Sequence, residues 1–357
     1  MKDLFQPLTF NCGTILKNRF MLAPLTNTQS HTDGKLSDDE YRWLIMRAQG
    51  GFGLTMTCAA HVQAIGQGFP GQLGIFSDDH LEGLSKLASG IKSENSLAVV
   101  QLHHAGMRSP ADLIGQAPVC PSDHTDTNSV GLSSEGVKEL IEDFICGAER
   151  AEKAGFDGVE IHGAHGYILA QFLSATINQR QDEFGGCIEN RMRPITAIID
   201  GIRARCRPDF LLGLRLSPER FDVHLPDIVE VAKNVLSAGK IDFLDMSLWD
   251  SFKEPEDQAF KGRTLLSYFT ELKRGNVALG IAGKLRNPEE VNQAMAADID
   301  FVMLGRAAIL HHDFPRQMKT DPNFTPIKNP VSADHLRKEG LGEAFITYMS
   351  GWKGFVG

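Results

Sequence analysis

No run of apolar residues in this sequence approaches the length of a membrane span. The amino-terminal stretch Met1-Lys2-Asp3-Leu4-Phe5-Gln6-Pro7 lacks the apolar core of a signal peptide. Six scattered cysteines (Cys12, Cys58, Cys120, Cys146, Cys187, Cys206) include no CxxC pair, which speaks against a zinc or disulfide framework and for free thiols in a reducing compartment. A basic surplus is missing too. The net charge of −9 leaves no face to displace phosphate counterions, which argues against a nucleic-acid partner. These absences predict a soluble, cytoplasmic protein with neither membrane nor nucleic acid as partner. The 357 residues are 42% apolar and 23% charged, a globular composition large enough for one α/β barrel or two ordinary domains.

Short runs rich in β-branched and apolar residues recur, with helical patterns between them. They predict strands at Arg19–Ala23, Leu54–Cys58, Leu97–Leu102, Gly158–His162, Leu211–Leu216, Phe243–Ser247, Val277–Ile281 and Phe301–Leu304. Several are apolar on both faces, as a parallel sheet covered by helices requires. Ser37 with Glu40 reads as a capping box ahead of Tyr41–Gln49, and Asn287-Pro288 with Glu290 as a second. Val137, Leu140, Ile141, Phe144, Ile145 and Ala148 form one helical stripe closed by Gly155. Eight strands each followed by a helix, with no linker between them, predict a single (β/α)₈ TIM barrel over residues 1–357 rather than a doubly wound sheet. Leu8-Thr9-Phe10 and Thr14-Ile15-Leu16 read as an N-terminal β-hairpin capping its bottom. The long loop after strand three, Gly106–Ser134, is rich in Pro, Ser, Asp and Gly and reads as a lid over the top face. Gly66-Gln67-Gly68-Phe69-Pro70-Gly71 matches GxGxxG but does not open a helix and is interrupted by Pro70, so it reads as a flexible loop rather than a dinucleotide turn.

Barrels keep their chemistry where strands end. Strand four runs into Glu160-Ile161-His162-Gly163-Ala164-His165-Gly166-Tyr167, which sets two imidazoles and a phenol within six residues. A metal pair completed by His103 would use the same histidines, as would satisfied core histidines. The HxH signature of metal hydrolases on strand one is absent, and Tyr167 suits proton delivery better than metal binding. Gln101 ends an apolar strand with a group that donates and accepts at once, suited to the edge of a heterocycle, or to backbone pairing. Arg215 lies so far into an apolar strand that it must meet an anion; an ion pair with Asp245 is the competing account. Gly283-Lys284-Leu285 and Gly305-Arg306 stand after strands seven and eight, where barrels bind phosphate, although both glycines also fit ordinary turns.

The stretch from Glu160 through Tyr167, Gln171-Phe172-Leu173-Ser174, Asn178 and Arg180 to Asp182-Glu183-Phe184-Gly185-Gly186 and Glu189-Asn190-Arg191 resembles the Old Yellow Enzyme family of FMN-dependent ene-reductases. Asn18-Arg19-Phe20, Ala23-Pro24-Leu25-Thr26, Gln101-Leu102, Leu214-Arg215-Leu216-Ser217 and Leu304-Gly305-Arg306 extend the likeness along nearly the whole chain. The resemblance implies non-covalent FMN at the top of the barrel. Thr26 would bond the flavin near its C4 carbonyl, and Pro24, Leu25 and Ala60 would line the ring. Gln101 would bond the pyrimidine edge, Arg215 would face its N1–C2 side, and Gly283, Lys284, Leu285, Gly305 and Arg306 would hold the phosphate. His162 and His165 would grip the carbonyl oxygen of an enone-type substrate. Hydride would pass from flavin N5 to the β-carbon, Tyr167 would protonate the α-carbon, and NADPH or NADH would reload the flavin at the same site. One branch of the family has a cysteine at the Thr26 position and a tyrosine at the Thr28 position, and this chain has neither. His103 stands where some relatives place an aromatic side chain, which predicts a more polar substrate wall. Relatives range from monomers to tetramers, so a homo-oligomer lies within the resemblance. The appended iron–sulfur motif and second flavin domain of larger relatives are expected to be absent. A barrel that holds FMN without ene-reductase turnover and a metal-dependent hydrolase are the other two readings.

Overall fold

Strands that are apolar on both faces need cover on both, and the helices between them supply it. The computed structural model describes residues 2–357. The antiparallel hairpin of β1 (Leu8–Thr9) and β2 (Ile15–Leu16) comes first. β3 (Phe20–Leu22), β4 (Leu54–His61) and β5 (Leu97–His103) follow, then a small parallel pair, β6 (Val119–Cys120) and β7 (Val130–Gly131). β8 (Gly158–Gly163), β9 (Leu211–Leu216), β10 (Phe243–Ser247), β11 (Ala278–Ala282) and β12 (Phe301–Leu304) complete the set. Eight of these strands close a parallel barrel in the order β10-β11-β12-β3-β4-β5-β8-β9, sealed by the pairing of β12 with β3. All eight expected barrel strands are present, as is the hairpin.

The lower barrel is filled by Met21, Leu54, Met56, Val99, Leu211, Phe243 and Phe301, with Phe10 of the hairpin plugging the bottom. Phe243 meets Phe301 edge-on at 5.7 Å and Phe10 at 5.9 Å between ring centroids. Two glycines make room for these rings: a Cβ on Gly213 would overlap Phe243, and one on Gly280 would overlap Phe301. The larger apolar core lies outside the barrel, between strands and helices.

Two local expectations change in the folded chain. Ser37 caps the helix Asp38–Gln49 by accepting the Glu40 N–H at 3.1 Å, but the Glu40 carboxylate does not complete a capping box. It turns inward, fully buried, to bonds from Asn27 and Ser30, because these residues bring donors into a space the helix closes. Asn287 likewise caps Glu290 N–H, while the Glu290 carboxylate takes the N–H of Arg286, one residue before the cap. The helix Ser134–Lys153 buries the stripe expected of it.

Apart from Arg108, the Gly106–Ser134 segment does not cover the top face as a lid. It carries β6 and β7 and is tied to the barrel's flank by Arg180, which donates to the carbonyls of Pro121 and Leu132. Asp182, paired with Arg180, accepts from the Ser134 hydroxyl at 2.6 Å. The Gly66–Gly71 loop is also pinned: Gln72 accepts from Gly68 N–H at 2.6 Å and donates to the Ala59 carbonyl at 2.7 Å. Among the described residues, no helix is long and apolar enough to cross a membrane.

Gly213→Ala should destabilise the fold by about 1–3 kcal/mol in urea unfolding, since the added methyl must displace the Phe243 ring. Phe243→Leu in the same chain should recover part of that loss. Equal stability of Gly213→Ala and the native chain would contradict this packing.

Candidate active site

A cavity of about 370 Å³ opens at the C-terminal ends of β10, β11, β12 and β3. It adjoins a second of about 180 Å³ over β5 and β8, and Pro24, Leu25, His165, Arg215, Arg306 and Trp352 border both. The two form one cleft. Gly283, Lys284, Leu285 and Gly305 lie at its first end; Thr26, Gln101, His162 and Tyr167 lie at its second. The residues expected at the site therefore converge there, except Ala60 and His103.

Ala60 is fully buried in the outer core, and Ala59 borders the cleft instead. The cause is a β-bulge between Met56 and Ala59. Leu54 and Met56 point into the barrel, so strict alternation would carry Ala60 inward; the extra residue flips the pattern. Ala59 then pairs with Gln101, and Ala60 with Leu102, which faces the helices.

The floor is a row of buried polar groups set by strand register. Gln101 pairs with Glu160, His162 with Arg215, and Arg215 with Asp245. Gln101 Nε2 donates to Glu160 Oε1 at 2.7 Å. Arg215 Nε lies 2.8 Å from Asp245 Oδ2 but is not aligned for a hydrogen bond. The ion pair weighed against an anion contact thus exists, and Arg215 borders the cleft as well. Burial raises both Glu160 and Asp245 above the ordinary carboxylate range; Arg215 opposes the rise at each.

Hydrogen bonds fix the histidine tautomers. The Ala164 N–H donates to His162 Nδ1 at 3.3 Å, so the His162 proton sits on Nε2. Nε2 lies 3.3 Å from His165 Nδ1, which must then accept, and His165 donates from Nε2 to the Ser247 hydroxyl at 2.8 Å. Burial first, and neighbouring cations or imidazoles second, hold both rings well below the ordinary histidine value, so they are neutral at pH 7. His165 adopts φ 60°, and Gly166 follows at φ 70° with its open face against Phe221. This tight left-handed turn returns Tyr167 over the cleft at the start of the helix Ile168–Leu173. Burial raises the phenol above its ordinary value, against a lowering from Arg108, so Tyr167 keeps its proton.

His103 does not border the cleft. It is buried behind the site, 4.3 Å from the Tyr167 ring and 5.3 Å from His162, with neither ring nitrogen hydrogen-bonded among the described residues. Among those residues, no three His, Cys, Asp or Glu side chains converge as metal ligands.

Several site residues carried no signal in the sequence. Arg108 donates to the His165 carbonyl and lies 4.6 Å over the Tyr167 ring. Phe69, from the glycine-rich loop, and Tyr348, Met349 and Trp352, from the C-terminal segment, supply the rim that the Gly106–Ser134 loop was expected to give. Trp249 lines the wall as well.

The cleft fits FMN on its own chemistry. Its floor offers an amide and a guanidinium to a ring edge, Pro24, Leu25 and Ala59 give apolar walls, and Gly283 and Gly305 allow close backbone approach. Arg286 and Arg306 border the far end and make no ion pair among the described residues, which leaves two cations for a phosphate.

Residues 3–323 match the NADH:flavin oxidoreductase / NADH oxidase family. The chain is 34% identical over 334 residues to the probable NADH-dependent flavin oxidoreductase YqiG of Bacillus subtilis, covering 91% of this chain and 87% of that one. It is 33% identical to an NADPH dehydrogenase of Bacillus licheniformis over 341 residues, 93% of this chain and 98% of the other. Two longer relatives are matched over only about a third of their own length. Among solved structures, the old yellow enzyme homologue from Zymomonas mobilis superposes with a TM-score of 0.79 at 26% identity, covering 94% of this chain and 96% of that one.

His103 titrates below the ordinary histidine value when folded and near it when unfolded, because burial disfavours its charged form. The unfolded chain therefore binds one more proton as pH falls through about 6.5, and stability is lost in that direction. His103→Phe should lessen the loss by about 1.4 kcal/mol per pH unit between pH 6 and 5 in urea titrations. An unchanged pH slope would contradict a neutral, buried His103.

Proposed function

The chain belongs to the NADH:flavin oxidoreductase / NADH oxidase family, the Old Yellow Enzyme group, and on that footing we propose that it reduces the activated C=C bond of α,β-unsaturated carbonyl compounds at this cleft. It is an NAD(P)H-dependent oxidoreductase with FMN as cofactor. FMN bound in the cleft supplies two-electron transfer between a reduced nicotinamide and an electrophile that take turns at one site.

The residues divide the remaining work. Gln101 and Thr26 would hold the polar edge of the ring, and Arg215 would face the side on which negative charge collects. Gly283, Lys284, Leu285 and Gly305 would cradle the phosphate, with Arg306 as its clamp and Arg286 beside it. Lys284 would be a weaker contributor than the arginines, since its ammonium already pairs with Asp250 at 2.9 Å.

The observation that carries the proposal is the pair of neutral, tautomer-fixed histidines beside a protonated Tyr167, on the cleft that also holds Gln101 and Arg215. A carbonyl oxygen entering between the rings would accept the Nε2–H of His162 that His165 Nδ1 now accepts. It would also accept the Nε2–H of His165 now shared with Ser247. Such a clamp draws electron density toward the oxygen and leaves the β-carbon electrophilic. Tyr167 would then give its proton to the α-carbon, and the cation of Arg108 over its ring would ease the charge left behind.

Purified protein reconstituted with FMN should be yellow and should bleach with NADPH or NADH in the absence of air. With 2-cyclohexenone, Tyr167→Phe should lower turnover about a hundredfold or more while leaving flavin bleaching by the nicotinamide unchanged. Protein that stays colourless and inert after reconstitution would overturn the reading. Full turnover by Tyr167→Phe would remove the phenol from the proton step.

A further inference from the structure

Glu160 has so far figured only as the partner of Gln101. It is fully buried, comes from the middle of β8, and is absent from the cleft lining. Its Oε1 accepts from Gln101 Nε2, while its Oε2 has no hydrogen-bond partner among the described residues. A buried carboxylate oxygen left unpartnered is costly unless it carries a proton or a cation stands near.

The charged groups around it are few and can be named. Gln101 faces it from β5, Arg215 from β9 and Asp245 from β10; Gly213, its register partner, presents no side chain. Two carboxyl groups thus share a single guanidinium in a space that excludes water. With both ionised, the group would hold one uncompensated negative charge, so at neutral pH the lower-energy arrangement keeps one proton.

We propose that Glu160 is the positioning residue of the cofactor floor: it locks the Gln101 amide toward the flavin edge and carries the proton that balances the Glu160–Arg215–Asp245 group when the bound FMN changes charge. The inference rests on the cleft holding FMN, as proposed above. With one Gln101 N–H committed to Oε1, the amide plane is set and its oxygen is left to accept from the ring. The unpartnered Oε2 is the atom that bears the proton.

The coupling follows from charge. Reduction of bound FMN by two electrons from the nicotinamide would add negative charge on the side that Arg215 is proposed to face. A guanidinium drawn toward that charge shields Asp245 and Glu160 less, so Glu160 takes up one proton from solvent if it was ionised. Burial and Asp245 push the Glu160 carboxyl above the ordinary carboxylate range. Below the pH at which it ionises the proton is already present and no extra uptake accompanies reduction. Above it, reduction draws in one more proton, and the midpoint potential falls more steeply with pH.

Two variants of the full chain separate the roles. Glu160→Gln keeps an acceptor for Gln101 and cannot ionise; Glu160→Leu removes the acceptor. FMN affinity is read from quenching of flavin fluorescence on titration with apoprotein, and potential from dye equilibration between pH 6 and 9.5. Glu160→Gln should bind FMN within about threefold of the native chain, match its potential at pH 6.5, and lack the native chain's steeper fall at the alkaline end of the range. Glu160→Leu should weaken FMN binding about tenfold, the loss of roughly one buried hydrogen bond to an ordered amide. Parallel potential–pH lines for Glu160→Gln and the native chain would overturn the proton role. Native affinity in Glu160→Leu would overturn the positioning role. If the native chain binds no FMN, it is the proposed function that fails, and the two failures are distinguishable.

Discussion

The interior of an eight-stranded barrel holds only a few layers of side chains, and that limit organises the molecule. Phe243 and Phe301 take the lower volume, admitted by the missing side chains of Gly213 and Gly280. With the bottom full, the polar row of Gln101, Glu160, Arg215 and Asp245 is held above it, between the middle and the C-terminal ends of the strands. The same aromatic packing keeps water from reaching the row from below. Its ionisation is therefore set by the few groups it contains, and by whatever lies in the cleft above.

The two ends of the cleft differ in kind. At the end proposed for the phosphate, Arg286 and Arg306 make no ion pair among the described residues and suit a fixed anion. At the reacting end the donors are neutral: His162 and His165 are kept uncharged by burial, and Tyr167 keeps its proton for the same reason. Neutral donors exchange partners at lower cost than charged ones. A site that, as proposed, admits a nicotinamide and then an electrophile would benefit from that. The cation that does stand there, Arg108, is tied to a backbone carbonyl and an aromatic face instead of to an acid.

Much of this was legible in the sequence because period and position report it directly. Continuous apolar runs located all eight barrel strands, and the residues just past them proved to converge. What escaped was non-local. The bulge in β4 exchanges Ala60 for Ala59 without altering composition, and only the pairing with β5 reveals it. Glu40 satisfies the capping pattern in sequence, yet its carboxylate answers to Asn27 and Ser30. The Gly106–Ser134 segment has the composition of a lid, but Arg180, far along the chain, binds it to the flank. The real rim, Phe69 with Tyr348, Met349 and Trp352, comes from segments with no catalytic signature.

The seam of the barrel is the pairing of β3 with β12, which joins Phe20–Leu22 to Val302–Leu304. On the ribosome, the first barrel strand to emerge has one edge without its partner until β12 has been made. β4 can cover one side early, but the other stays open while β5 through β11 are added. Contacts of such sequence separation fold slowly and expose unpaired strand edges meanwhile. The cofactor floor, which draws on β5, β8, β9 and β10, can assemble before that seam closes. The rim residues Tyr348, Met349 and Trp352 follow it in order of synthesis, so this wall of the cleft is built after its floor.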